Sequence, residues 1–438
     1  MNSLNIPKFS DLIRPDRVHR ALYTDPMLFE LEMDRLFGRA WLVLGHESQV
    51  RAPGDFFTTR LARQPVLVTR DDGGAVRVLV NRCPHRGAVV CTEERGHTPH
   101  FQCGYHGWTF SCDGALKHVP MANAYPEDPR GLGLRLAPVP RVATYRGFIF
   151  ASLAANGPGL LDFLGYMRTS FDDMVDRAPD GEIEVAGGVF KHAYDGNWKL
   201  MLENHNDTYH PAHVHASSIY AAKEQADDTP TTGAGEIAVR QMRQNGVPPD
   251  VWDGLGLWTA AYGHSLMGDY HDDKRLVAAL KDPTFAAYRA ALEKRHGPRR
   301  TDEILGVARF NTVVYPNCTF MSQFRQLRIL HPITVDRTAV YTYSFRLKGA
   351  PPQMFRDTVA FANVVNGTGS PVLTDDLELY ARVQQGLLTQ ANDWVYLGRG
   401  LGGDVPDREQ THRGNLGTSE IHIRNQFAAW AHYMSQAS

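Results

Sequence analysis

Two stretches of the chain crowd together side chains that bind metal. Cys83-Pro-His85 and Cys103-Gly-Tyr-His106 each pair a thiol with an imidazole, on segments whose Pro and Gly mark loops between strands. Two thiolates and two imidazoles form a four-ligand set. By composition it suits one zinc ion, and equally a [2Fe–2S] cluster with thiolates on one iron and imidazoles on the other. A single Cys-x-His is more often a buried cysteine beside an unrelated histidine, but its repetition at close range reverses that reading. On the cluster reading, neutral imidazoles in place of two charged thiolates raise the reduction potential and make an easily reduced one-electron relay. Cys91 and Cys112 lie nearby and read as small buried hydrophobes.

The second stretch runs from Trp198 to His215 and holds Asn204, His205, Asp207, His210, His213 and His215. On a helix Asp207 and His210 would be i and i+3, on neighbouring edges of one face. His215, five residues beyond His210, would be rotated by roughly 140° on an unbroken helix, too far to share an ion. Pro211 supplies the break: it should push His210 out of α geometry and open a new turn. Two imidazoles with one carboxylate, leaving positions open, is the arrangement of non-haem Fe(II) oxygenases. Chemistry alone does not choose between His215 and His213, since His213 is i+3 from His210, and it does not exclude His205. The carboxylate must come from elsewhere, and SPVLTDDLELYARVQQGL near the C-terminus offers Asp375 and Asp376. Asp376 heads the apolar row Tyr380, Val383 and Leu387, whereas Asp375 lines up with Leu379 and Arg382. Acids in a first helical turn are also favoured by the helix dipole alone.

CPHRG at 83–87 followed by CGYHGW at 103–108 resembles the Rieske iron–sulfur domain, and Asn204-x-x-Asp207-x-x-His210-x4-His215 resembles the catalytic site of Rieske ring-hydroxylating oxygenase large subunits. The resemblance implies Cys83 and Cys103 on one cluster iron, His85 and His106 on the other, and His210, His215 and Asp376 on a mononuclear Fe(II). It places Asn204 and Asp207 in the catalytic set, with Asp207 bridging His210 to the cluster ligand His106 of a neighbouring copy. It further implies a homotrimer, or an α3β3 assembly with a small β subunit. A reductase or ferredoxin would be the electron donor, so that NAD(P)H acts only through that donor, and O2 and an aromatic substrate would yield a cis-dihydrodiol or a hydroxylated ring. Within the family the pattern is most similar to subunits acting on single-ring acids of the benzoate, anthranilate and salicylate types. Arg325 and Arg346 are the candidates for holding such a carboxylate, against the commoner fate of a solvent-facing arginine in a strand. Met201, Leu202, Phe320 and Met321 are candidate pocket walls, although residues at such spacings more often belong to the core.

The elements that must position these groups are readable in outline. Asp25-Pro26 caps a leading helix carrying Phe29, Met33, Leu36 and Phe37, and residues 1–39 should pack on the catalytic domain. Short β-rich runs with Asp-Asp-Gly-Gly and Asp-Gly turns then make a small antiparallel Rieske domain over 40–157. Residues 158–438 read as an α+β catalytic domain with an antiparallel sheet covered by helices. Its strands include Glu182–Ala193 and a hairpin of Thr319–Leu330 with Ala339–Leu347, and a last helix runs from about Ser370-Pro371 to Leu388. The 223–305 stretch reads as an insertion and a candidate pocket lid.

With 438 residues, 43% apolar and 21% charged, there is material for two packed domains. Lysine plus arginine at 46 against 48 acids leaves a net charge of −2, with no basic field for nucleic acid. The charged, proline-bearing N-terminus and the lack of a run of about 18 apolar residues lead us to expect a cytoplasmic protein with no membrane contact. A Rieske monooxygenase or demethylase is the alternative within the fold. Outside it stand an electron carrier, against which the second metal-binding constellation argues, and a zinc-stabilised binding protein that uses the four Cys and His ligands structurally.

Overall fold

The computed structural model describes residues 9–224, 234–271, 283–370, 372–407 and 411–436. The chain divides into two compact units, residues 37–160 and residues 1–36 with 161–438. Every strand pairing described in either unit is antiparallel, as the α+β reading expects. No described helix is long and apolar enough to cross a membrane.

In the smaller unit, Val76–Val80, Gln64–Arg70, Asp55–Leu61 and Arg95–His97 form one sheet, with three-stranded sheets beside it. The Asp-Asp-Gly-Gly signal makes the turn it promised: Asp71 Oδ1 accepts the Ala75 N–H at 2.9 Å, and Gly74 supplies the left-handed φ of +81°. Phe56, Leu67, Leu79, Phe101, Phe110 and Leu136 build a core into which Cys83 and Cys103 are packed.

The larger unit is organised on a nine-stranded sheet whose order begins Ile183–Tyr194, Arg337–Leu347, Gln326–Thr334, Cys318–Met321 and Val307–Val314. The expected run Thr319–Leu330 is two strands. A 3-10 turn over Ser322–Phe324 and the left-handed Arg325, φ +54°, fold it on itself so that Cys318 pairs with Ile329. The 223–305 stretch is not an insertion throughout: Gly256–Thr259 and Ser265–His271 continue the same sheet, Ser265 opposite Val313. A bulge at Gly268 hides this strand from a simple alternation test, and a Cβ there would lie 2.6 Å from the Ala308 carbonyl oxygen. A helix runs over Pro283–His296, whereas 225–233 and 272–282 lie outside the described residues.

The leading helix, Pro26–Arg35, is capped by Asp25, whose carboxylate accepts the Met27 N–H at 2.8 Å. It carries Glu32, 1% exposed, into the core of the larger unit. There Glu32 accepts the indole N–H groups of Trp198 at 2.8 Å and Trp430 at 2.7 Å, and pairs with the buried Lys199 ammonium at 2.6 Å. Removing one partner of such a pair strands a buried charge. Glu32→Leu should therefore cost about 3–5 kcal/mol of stability. Adding Lys199→Met should return part of it, read as the denaturant midpoint of the tryptophan fluorescence transition. An unchanged midpoint in Glu32→Leu would remove the ion pair from the stabilising core.

Candidate metal centres

The two cysteine loops have the same backbone. In each, the cysteine N–H donates to the carbonyl five residues on, Ala88 or Trp108, at 2.8 Å in both loops. The glycine four residues on, Gly87 or Gly107, donates back to the cysteine carbonyl at 2.9 and 3.0 Å. Both glycines take left-handed φ values, +81° and +71°. Matching Cys-x-x-x-Gly turns thus present Cys83 and Cys103, each 2% exposed, toward one another. Burial pushes the Cys83 thiol up, and the neighbouring Cys103 adds to it. His85 and His106 stand edge to face with ring centroids 4.6 Å apart, and Trp108 stacks on His85 at 4.8 Å. His85 Nδ1 is buried and has no hydrogen-bond partner, which is how an imidazole that ligates a metal is left when only protein atoms surround it. A tight convergence of three such side chains is found elsewhere among the described residues.

It occurs in the larger unit, where one ligand atom each from His210, His215 and Asp376 lie within 4.8 Å of one another. The Trp198–His205 helix, capped by Asn197, ends before Asp207. A turn, not a helix face, joins Asp207 to His210: the carboxylate accepts the Tyr209 N–H at 2.7 Å. Pro211 opens the next short helix as expected, but His210 keeps α geometry, φ −69° and ψ −32°, so the bend that redirects the chain lies at 206–209. The Leu373–Leu387 helix brings in Asp376 from the far end of the chain, and Ser370 Oγ accepts the Leu373 N–H at 3.1 Å.

The two imidazoles address Asp376 through the same atom. His210 Nε2 lies 3.7 Å and His215 Nε2 3.6 Å from Asp376 Oδ1. Each opposite nitrogen faces a further carboxylate: His210 Nδ1 is 3.6 Å from Asp207, and His215 Nδ1 is 3.4 Å from Asp375. The His215 contact is a hydrogen bond, in which the carboxylate accepts Nδ1–H and leaves the Nε2 lone pair for a metal, whereas the longer His210 contact is one of charge alone. Burial opposes the charge on Asp207, but the facing His210 outweighs it and holds Asp207 down to about 2. Burial likewise pulls His210 down, and Asp207 with Asp376 leave it above its ordinary value. The Asn204 amide lies between the ligand groups, 3.1 Å from His210 Nε2 and 3.3 Å from Asp376 Oδ1. These donor types and directions fit a mononuclear iron. His213 is exposed and packs on Tyr209, whereas the buried His205 lines the adjoining cavity outside the three-residue group.

That cavity, of about 160 Å³, lies beside the three residues and is walled by Trp252, Phe310, Met321, Phe324 and Phe361. Of the four wall candidates Met321 alone is among its lining residues. Strand alternation turns Phe320 to the other face, against Phe171 at 4.8 Å, and Met201 and Leu202 are buried in the core. Gln241, Gln244 and Asn245 of the Ala234–Asn245 helix also line it, so part of the 223–305 stretch does border the site. Arg325 and Arg346 line a different cavity, where Arg346 pairs with Glu184. Asp375, weighed from sequence as a ligand and set aside for Asp376, instead faces His215; Arg328, not singled out from sequence, lines the cavity from an apolar strand.

A Rieske [2Fe-2S] domain is matched by residues 40–145 and a ring-hydroxylating α-subunit catalytic domain by residues 179–436. Toluate 1,2-dioxygenase subunit alpha of Pseudomonas putida is 37% identical over 374 residues, covering 84% of this chain and 79% of that one. The 2-halobenzoate 1,2-dioxygenase large subunit of Burkholderia cepacia is 34% identical over 392 residues, covering 88% and 80%. Among solved structures, a naphthalene 1,2-dioxygenase mutant bound to phenanthrene superposes with a TM-score of 0.81 at 27% identity, covering 99% of this chain and 95% of that one. A Rieske iron–sulfur unit joined to a non-haem iron catalytic unit defines a Rieske oxygenase. The chain belongs to the large (α) subunits of the ring-hydroxylating dioxygenases, oxidoreductases that take electrons from a reductase or ferredoxin and act on aromatic rings.

Proposed function

We propose that this chain is the terminal oxygenase subunit of a system that dihydroxylates the ring of a single-ring aromatic carboxylic acid. One observation carries the reading: His210, His215 and Asp376 converge within 4.8 Å at the wall of an aromatic-lined cavity. The acid is supported by relatives that are toluate and 2-halobenzoate dioxygenases. We assign Cys83, Cys103, His85 and His106 to the cluster, and His210, His215 and Asp376 to the mononuclear Fe(II). When bound, the cluster supplies single electrons and the Fe(II) activates O2. The protein's part is to orient and to exclude water. Asp375 holds His215 in the ligating tautomer, Asp207 sets its charge against His210, Asn204 keeps an amide beside the ligand atoms, and the aromatic walls press the ring into place.

The assembly that fits this reading is a cytoplasmic homotrimer, alone or with a small β subunit. In it Asp207 bridges His210 to His106 of the neighbouring copy. Asp207→Ala should keep both metals, read as unchanged iron content and cluster spectrum, yet slow turnover roughly 10–100-fold, the usual cost of losing a carboxylate behind a metal-bound imidazole. Unchanged turnover would remove Asp207 from the electron path. The function itself is tested by supplying a reductase, NADH and O2 with benzoate, anthranilate, salicylate and neutral arenes. Dihydroxylated products from an acid support the reading, and turnover of neutral arenes alone contradicts it.

A further inference from the structure

Arg328 is a buried cation with no carboxylate among the described residues in ion-pair contact, although the charge of Asp376 reaches it. It sits near the middle of the Gln326–Thr334 strand, in register with Thr319 on one side and Thr342 on the other, and is 9% exposed. Alternation along the strands puts Arg328 and Met321 on the cavity side, and both line the cavity that His210, His215 and Asp376 border.

Its guanidinium is held but not neutralised. Nε donates to Asn366 Oδ1 at 2.7 Å, and the Asn366 amide is itself fixed by donating to Gln326 Oε1. Nη2 has only the weak acceptor Met321 Sδ, at 3.9 Å. No carboxylate among the described residues lies within 4.0 Å of it, although buried charges are ordinarily paired. The histidines in its field do not compete for an anion. Burial and the Arg328 charge together push His192 down to about 4 and His205 well below its ordinary value. The result is a fixed fork of N–H donors in the wall of a pocket lined by aromatic and polar side chains, which is what binds a planar carboxylate by two prongs.

We propose that Arg328 receives the carboxylate of the substrate, so that the site selects aromatic monocarboxylates over neutral arenes and fixes which edge of the ring meets the metal group. This deepens the aromatic-acid reading and rests on it. Benzoate and benzamide are the probes, isosteric and differing in charge, and their binding to the iron-loaded protein is measured by calorimetry without reductase. Arg328→Gln should weaken benzoate by at least about 30-fold, equivalent to 2 kcal/mol at about 1.4 kcal/mol per decade. Benzamide affinity and iron content should stay as in the wild type. Should Arg328→Gln lose its irons, Arg328→Lys decides: an ammonium keeps the charge but not the fork, so benzoate should weaken about tenfold with benzamide unchanged. Equal benzoate affinity in wild type and either iron-loaded variant overturns the assignment of Arg328 and leaves the aromatic-acid reading standing. A wild-type protein that oxidises neutral arenes but binds and oxidises no aromatic acid overturns both.

Discussion

His210→Ala should yield a protein with its cluster intact and its oxygenase activity gone. The imidazole contributes one of three ligand atoms within 4.8 Å, and its removal leaves the group one imidazole and one carboxylate. The loss exceeds what removal of a supporting carboxylate costs, and turnover should fall by more than about 100-fold. The cluster loops should be untouched, since Cys83, His85, Cys103 and His106 belong to the other compact unit. Iron analysis should show one iron fewer per chain with the visible spectrum unchanged. Loss of the cluster spectrum as well would mean that the two groups are not separate sites.

Cys103→Ser is the complementary experiment. Cys103 is 2% exposed and its backbone closes one of the two matched turns. A hydroxyl is a poor substitute for a thiolate on iron–sulfur clusters. The variant should be colourless, and turnover with reductase should fall to background while the mononuclear site still takes up one iron. Coexpressing Cys103→Ser with His210→Ala tests the proposed pairing across subunits: mixed assemblies should recover part of the activity that each variant lacks. Retained visible absorption in Cys103→Ser would remove it from the ligand set.

The groups assigned to metal are legible in sequence because ligand chemistry restricts residue type and spacing at once. Cys83 with His85 and Cys103 with His106 stand out for that reason, and the equal Cys-to-Gly spacing that folds the two loops alike is there to be read. Asp376 is read from the row Tyr380, Val383 and Leu387, of which only Tyr380 is buried: Val383 is exposed, and Gln384 is buried in its place. The role of Asp375, facing His215 from the same helix, is not legible, since a first-turn acid is stabilised by the dipole whatever it faces. The pocket wall depends on which strand face looks inward, and that is set by register. Phe320 and Met321 are adjacent and equally apolar, yet only Met321 reaches the cavity. Arg328 escapes for a related reason: its partners Asn366 and Met321 come from other elements, and nothing local marks it as unpaired. Glu32 looks like any acid of an amphipathic helix until Trp198, Lys199 and Trp430 close over it. The misplaced bend near Pro211 shows a tendency overridden, because the Asp207 turn and the packed histidines settle His210 in α geometry.

Two separate iron centres in one chain are tested most directly by metal analysis joined to EPR of the dithionite-reduced protein. The protein should be red-brown with about three irons per chain, two of them giving a reduced-cluster signal of the mixed thiolate–imidazole type. A colourless protein holding one zinc per chain and giving no such signal would contradict this assignment.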